Sequence, residues 1–253
     1  MNARPTVFET KDELVQRAAV FVAGSLRAAV AERGRASLVL AGGSTPEPVY
    51  RLLASVHADA PFWADTHVFF GDERCVPPDH AHSNARMAHE AMLNALPIPE
   101  AQVHRMVGEV HPPVAAYDYE QAMNAYRAAA RDPEAPLFDV VLLGLGDDGH
   151  TASLFPGEAA LEETEALCIH TKSPPASPVD DRLTLTFPAL SDTQTVLFLV
   201  SGAKKQAALH AALHGLRLPD QTAAVPASRI TARGEVLWFV DRAASGTGED
   251  GTA

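Results

Sequence analysis

The stretch GLGDDGHTASLFPG, residues 144–157, sets Asp147, Asp148, His150 and Thr151 among glycines directly after the apolar run VVLL. An imidazole exchanges protons near neutral pH, and a carboxylate two residues back can orient its ring or stabilise its protonated form. His150 with Asp148 is therefore a candidate general base. The plainer alternative is a surface histidine in a helix-capping turn, the commoner fate of a single histidine. GLGDDG also resembles a dinucleotide-binding fingerprint, but a histidine follows where such a loop needs a small residue for helix packing, so a nicotinamide site is rejected.

Three other polar clusters follow apolar runs in the same way. AGGSTPEPVY after SLVLA offers Gly42 and Gly43 for close backbone approach, hydroxyls on Ser44 and Thr45, and a helix starting near Pro46 whose free amides suit an anion. That combination is a phosphate cradle; an ordinary strand-to-helix turn capped by Thr45 is the alternative. GDER after HVFF brings Asp72, Glu73 and Arg74 to one point, where a solvated charged turn is the bland reading. SGAKK after VLFLV places Lys204 and Lys205 near a helix start.

The elements that must position these residues alternate. Short β-rich runs at 37–41, 67–70, 139–146, 195–200 and 236–240 are separated by helical patterns at 46–56, 83–95, 114–130 and 203–214. An opening amphipathic helix spans Leu14 to Val30, with Thr10 and Glu13 as a capping box and Gly34 at its exit. The alternation predicts an α/β fold with a mainly parallel, Rossmann-like sheet covered by helices on both faces. Ligands of such sheets bind beyond the carboxyl ends of the strands, where the four polar clusters fall.

Composition bounds the function. The 253 residues are 47% hydrophobic, enough for one large α/β domain over 1–242, with the small acidic stretch 243–253 expected to be a mobile tail. A net charge of −12 disfavours nucleic acid and anionic membranes as partners, so an anionic small molecule must be held by local groups. Unbroken apolar runs are far shorter than the roughly 20 residues of a membrane helix, and the first residues show no signal-peptide core. Cys75 and Cys168 stand apart with no metal-ligand spacing. A cytoplasmic protein without metal or cofactor is expected. The proline-rich KSPPASPVDDR, residues 172–182, reads as a loop.

Taken in order, LAGGSTPEPVYRLL, FFGDERCVPPDHAHSNARM, DVVLLGLGDDGHTASLFPG, RLTLTFPAL and VSGAKKQAAL resemble the successive signature blocks of the 6-phosphogluconolactonases of the pentose phosphate pathway. The resemblance runs from the first helix to about Val240. It implies a fold like that of glucosamine-6-phosphate deaminase and ribose-5-phosphate isomerase, and metal-free hydrolysis of 6-phospho-D-glucono-1,5-lactone. Carried over by residue, it implies that His150 is the lactonase histidine with Asp148 beside it, and that Arg74 contributes charge near the reacting end. Gly42, Gly43, Ser44 and Thr45 would receive the C6 phosphate, helped by Arg182 and Lys205, with Asp72 and Glu73 in the substrate-binding set. One departure is visible: where many members carry a lysine inside the proline-rich loop, this chain reads SPPASP with Lys172 just before it.

Two rivals are weighed against this expectation. An amino-sugar-phosphate deaminase or isomerase on the same scaffold is usually described with a carboxylate five residues past the histidine; here that position is Phe155, which cannot carry a proton. A non-catalytic sugar-phosphate sensor would lose His150 or its carboxylate, and both are present. No G-x-S-x-G elbow occurs, which disfavours a serine nucleophile.

Overall fold

In the computed structural model, which describes residues 4–175 and 177–246, the chain opens with a short strand β1 (Thr6–Phe8) and a long helix α1 (Lys11–Arg33). The Thr10 hydroxyl accepts from the Glu13 amide at 3.1 Å, and the Glu13 carboxylate accepts from the Glu9 amide at 3.1 Å. The reciprocal arm of the expected capping box thus lands one residue upstream of the cap. By length and composition α1 would suffice to cross a bilayer, a property hidden when only unbroken apolar runs are counted. Its Leu14, Ala18, Val22 and Leu26 are instead fully buried in the core, as in an amphipathic helix laid on a sheet.

The remaining elements follow as β2 (Ala36–Leu40), α2 (Pro46–Val56), β3 (Thr66–Phe70), β4 (Asp72–Arg74), α3 (Asn84–Ala91), α4 (Pro112–Ala128), β5 (Phe138–Leu143), β6 (Cys168–Lys172), β7 (Asp181–Leu185), α5 (Phe187–Ser191), β8 (Thr193–Val200), α6 (Gln206–His214), β9 (Glu235–Asp241) and α7 (Arg242–Ser245). Six strands form one parallel sheet in the order β1-β9-β8-β5-β2-β3. Its central strands are apolar on both faces because helices cover both: Leu38, Val140, Leu142, Val196 and Phe198 are all inaccessible to solvent.

Besides the unexpected strand β1 and the end of β5 at Leu143, where the expected run continued to 146, three features depart from the expected elements. The charged DER segment is strand β4 of a separate antiparallel sheet, ordered β4-β7-β6. The expected loop 172–182 is shorter, because Lys172 ends β6 and Asp181 and Arg182 begin β7. Cross-strand pairing, invisible in a proline-rich string, converts its ends into a hairpin. At the carboxyl end, α7 carries regular structure past residue 242: Asp241 caps it, accepting from the Ala244 amide at 2.8 Å. The rest of the expected tail, from residue 247, lies outside the described residues.

Gly71 joins the two sheets. Its amide donates to Leu40 of the parallel sheet at 2.9 Å, and its carbonyl accepts from Leu185 of the antiparallel sheet at 2.8 Å. The chain leaving β3 is thereby delivered into β4, over the carboxyl ends of the parallel strands.

Candidate active site

A cavity of about 600 Å³ opens at that edge. It is bordered by Gly42 and Gly43 after β2, Asp72 and Arg74 on β4, the turn 144–153 after β5, Arg182 on β7 and Lys205 after β8. Eight of the residues singled out from sequence therefore meet at one place.

The turn carrying His150 is tied to itself. Gly146 donates to the His150 carbonyl at 2.8 Å, Gly149 donates to Gly146 at 3.0 Å, and the Thr151 hydroxyl donates to Gly144 at 2.9 Å. A Cβ on Gly146 would sit 2.1 Å from His150 Nδ1, so only glycine lets the ring fold over the turn. The ring lies against Phe155, centroids 4.6 Å apart. His150 Nδ1 lies 2.6 Å from Asp148 Oδ1, which also accepts from the His150 amide at 3.1 Å. Burial raises the Asp148 carboxyl, but its hydrogen bonds and charge interaction with His150 outweigh that, leaving it below the usual aspartate value. An ionised carboxylate only accepts, so Nδ1 carries the proton and Nε2 is left as the basic nitrogen.

Sequence reasoning missed the groups that brace this turn from the far side. Gln221 Nε2 donates to the Asp148 carbonyl at 2.6 Å, and the Ala227 amide donates to the Gly149 carbonyl at 3.1 Å. Both come from the segment between α6 and β9, more than 70 residues away, and belong to no motif that would have drawn attention to them.

Arg74 and Arg182 stand directly opposite each other in the β4–β7 register. Like charges so placed repel. Arg182 is only 6% exposed, and burial, followed by the charge of Arg74, pulls its pKa below the ordinary arginine value. Arg182 Nη2 donates to Ser177 at 2.5 Å and Arg74 Nη1 to the His82 carbonyl at 2.6 Å, yet the Nε of each guanidinium is buried without a partner among the described residues. Two facing cations that border one cavity make a site suited to an anion. Asp72, also bordering the cavity, accepts from Ser153 at 2.7 Å and Asn84 at 3.2 Å. Lys205 Nζ lies 2.5 Å from Asp147.

The glycine turn after β2 is held by Tyr50, whose hydroxyl donates to the Ala41 carbonyl at 2.8 Å and accepts from the Ala41 amide at 2.9 Å. A Cβ on Gly42 would fall 2.0 Å from Asn84 Oδ1, so backbone reaches the cavity there only because the residue is glycine. Ser44 and Thr45 fall outside the lining: Thr45 makes no side-chain cap bond, and the Ser44 carbonyl accepts from Lys11 at 2.9 Å. At the cavity this turn therefore presents glycine backbone and not hydroxyls.

Glu73 is the clearest displacement from expectation. Instead of facing ligand, it is 2% exposed and accepts from the amides of Arg74, Asn84 and Ala85 and the Ser83 hydroxyl at 2.7–3.0 Å. Burial raises its pKa while those four donors lower it, and burial prevails. Its task is to satisfy the amides that open α3, an anion at a helix start. Lys172 also lies off the cavity, paired with Asp181 at 2.6 Å. Among the described residues no three His, Cys, Asp or Glu side chains gather as a metal would require.

Comparison with known proteins identifies the family and the fold. The family model for glucosamine-6-phosphate isomerases/6-phosphogluconolactonase matches residues 9–238. A 6-phosphogluconolactonase of Synechocystis is 43% identical over 250 residues, covering 96% of this chain and 98% of the relative, and one of Mycobacterium tuberculosis is 39% identical over 252 residues, covering 97% and 98%. The solved 6-phosphogluconolactonase from Trypanosoma cruzi superposes with a TM-score of 0.83 at 30% identity, covering 98% of each chain. A monomeric glucosamine-6-phosphate deaminase, at 22% identity and a TM-score of 0.77 over 97% of this chain and all of its own, shares the fold. With the match spanning nearly its whole length, the chain belongs to the glucosamine-6-phosphate isomerase/6-phosphogluconolactonase family.

Proposed function

We propose that this chain, as one cytoplasmic α/β domain, hydrolyses 6-phospho-D-glucono-1,5-lactone to 6-phospho-D-gluconate in the pentose phosphate pathway, using neither metal nor organic cofactor. Its partner is the small sugar phosphate, not nucleic acid or membrane. The observation that carries this reading is a histidine with Nδ1 fixed by a carboxylate, bordering the same cavity as Arg74, Arg182 and Lys205.

In this mechanism Nε2 of neutral His150 takes a proton from water as that water adds to the lactone carbonyl carbon. The proton then passes to the ring oxygen as the carbon–oxygen bond breaks, giving the open-chain acid. Asp148 stabilises the imidazolium formed between the two steps. General acid–base catalysis of this kind supplies about 10² to 10⁴-fold, or roughly 3–5 kcal/mol. Arg182, Lys205 and the backbone of Gly42 and Gly43 receive the phosphate, and Arg74 contributes positive charge toward the reacting end. The deaminase alternative gains nothing from the geometry, since the ring beside His150 is the apolar Phe155.

A coupled assay tests the reading. Glucose-6-phosphate dehydrogenase generates the lactone, whose disappearance is followed with and without this protein. Two charge-assisted hydrogen bonds to phosphate at about 1.5–3 kcal/mol each predict kcat/KM at least ~100-fold higher for the phosphorylated lactone than for plain gluconolactone. Equal values for both substrates would refute it.

A further inference from the structure

The turn bearing His150 holds two adjacent carboxylates with divided partners. Asp148 faces the imidazole, while Asp147 reaches back to Lys205, with 2.5 Å between Oδ1 and Nζ. Both members of this second pair border the cavity. The backbone that presents Lys205 is firmly placed: Gly202 donates to both carboxylate oxygens of Asp241 at 3.0 and 3.2 Å, and Ser201 to one of them at 2.5 Å. The Lys205 side chain is 27% exposed and that of Asp147 61%, so the carboxylate is the more solvated partner.

An anion entering the cavity meets Arg74 and Arg182, and a lysine that already has a carboxylate on it. Carboxylate and phosphate can share one ammonium only at the cost of their mutual repulsion. Hydrolysis sharpens the conflict, because opening the lactone adds a carboxylate to the ligand, so product carries one more negative charge than substrate.

We propose that Asp147 sets ligand affinity as an internal competitor for Lys205. It neutralises the lysine in the free protein, opposes the phosphate of bound ligands, and acts most strongly against the more anionic product, hastening its departure. The proposal rests on the reading that Lys205 receives the substrate phosphate. Asp147 is distinct in role from Asp148: it tunes affinity and leaves the imidazole alone.

The test is Asp147→Asn, with binding of inorganic phosphate and of 6-phosphogluconate measured by calorimetry. Asp147→Asn should bind phosphate about two- to fivefold more tightly than wild type, the range of an exposed ion pair, with a larger gain for 6-phosphogluconate. The gain should shrink as salt is raised. In a Lys205→Met background the same substitution should change phosphate binding much less, which isolates the pairwise interaction. Weaker or unchanged binding by Asp147→Asn overturns the proposal, as does an undiminished gain in the Lys205→Met background. If Lys205→Met alone binds phosphate as well as wild type, the reading of Lys205 fails and the proposal falls with it, a result distinguishable from failure at Asp147.

Discussion

Two histidine–aspartate pairs in this molecule have nearly the same contact geometry. His150 meets Asp148 at 2.6 Å and His170 meets Asp181 at 2.5 Å, with the histidines 32% and 26% exposed and the aspartates 38% and 37%. Their surroundings differ. His150 and Asp148 sit two residues apart in a self-bonded turn at the mouth of a cationic cavity. His170 and Asp181 meet diagonally across β6 and β7, away from it. Asp181 also binds Lys172, and that ammonium is the first cause of its lowered pKa, ahead of His170. The Asp181 carboxylate is thus shared between an ammonium and an imidazole, whereas no lysine or arginine pairs with Asp148 among the described residues. The comparison teaches that a short contact between ring and carboxylate does not make a proton-transfer pair; an uncommitted carboxylate and a place for substrate do.

Breaking each pair in turn gives the largest contrast. His150→Ala should lower kcat by about 10² to 10⁴-fold in the coupled lactone assay, while His170→Ala should stay within about twofold of wild type. Equal losses in both would show that the cavity does not distinguish them.

A smaller contrast comes from the carboxylates. Asp148→Asn removes a charge-assisted hydrogen bond of about 1.5–3 kcal/mol, so kcat should fall roughly 10- to 150-fold, and Asp181→Asn should leave it nearly unchanged. The pH behaviour sharpens this. Because the folded-state pKa of Asp148 is lowered, its stabilising contribution is full above the ordinary aspartate value of 3.8 and is lost only as pH falls through the lowered one. The difference in Tm between wild type and Asp148→Asn should therefore be constant above about pH 5 and shrink only in stronger acid.

The smallest effect concerns a third histidine contact with no carboxylate in it. His67 Nδ1 lies 3.0 Å from His104 Nε2 near the amino-terminal end of β3. One neutral ring must donate to the other. Burial, then the neighbouring charges of His104 and Arg35, pushes His67 down to about 4, and burial lowers His104 as well. A depressed histidine contributes stability that is full above its unfolded value of about 6.5 and is lost as pH falls toward the folded one. Tm should drop between about pH 6.5 and 4, and less steeply in His67→Gln. Parallel profiles would remove the pair from the acid response.

The parallel sheet was legible because its strands are short β-branched and leucine-rich runs that need burial on both faces, as in DVVLL and TVLFLV. The small antiparallel sheet was not, since DER and DRLTL acquire their pairing and burial from each other, from β6 and from the helices α3 and α4, all brought together only by the tertiary fold. Gln221 was out of reach for a related reason: a glutamine in a loop has no local pattern that announces a carbonyl more than 70 residues away.

The sequence by itself determined the α/β class, the strand ends as the place to look, and His150 with Asp148 as a pair, because periodicity, turn glycines and an i, i+2 spacing act over a few residues. Tertiary structure alone decided how neighbouring charges divide their work. In GDER, Asp72 and Arg74 border the cavity, while Glu73 between them points down to the start of α3, since adjacent residues of a strand face opposite ways. In the GDDGHT turn, Asp148 goes to the imidazole and Asp147 to Lys205. Which of two adjacent carboxylates meets a ligand depends on what lies across from each, and that is known only when distant segments have been brought together.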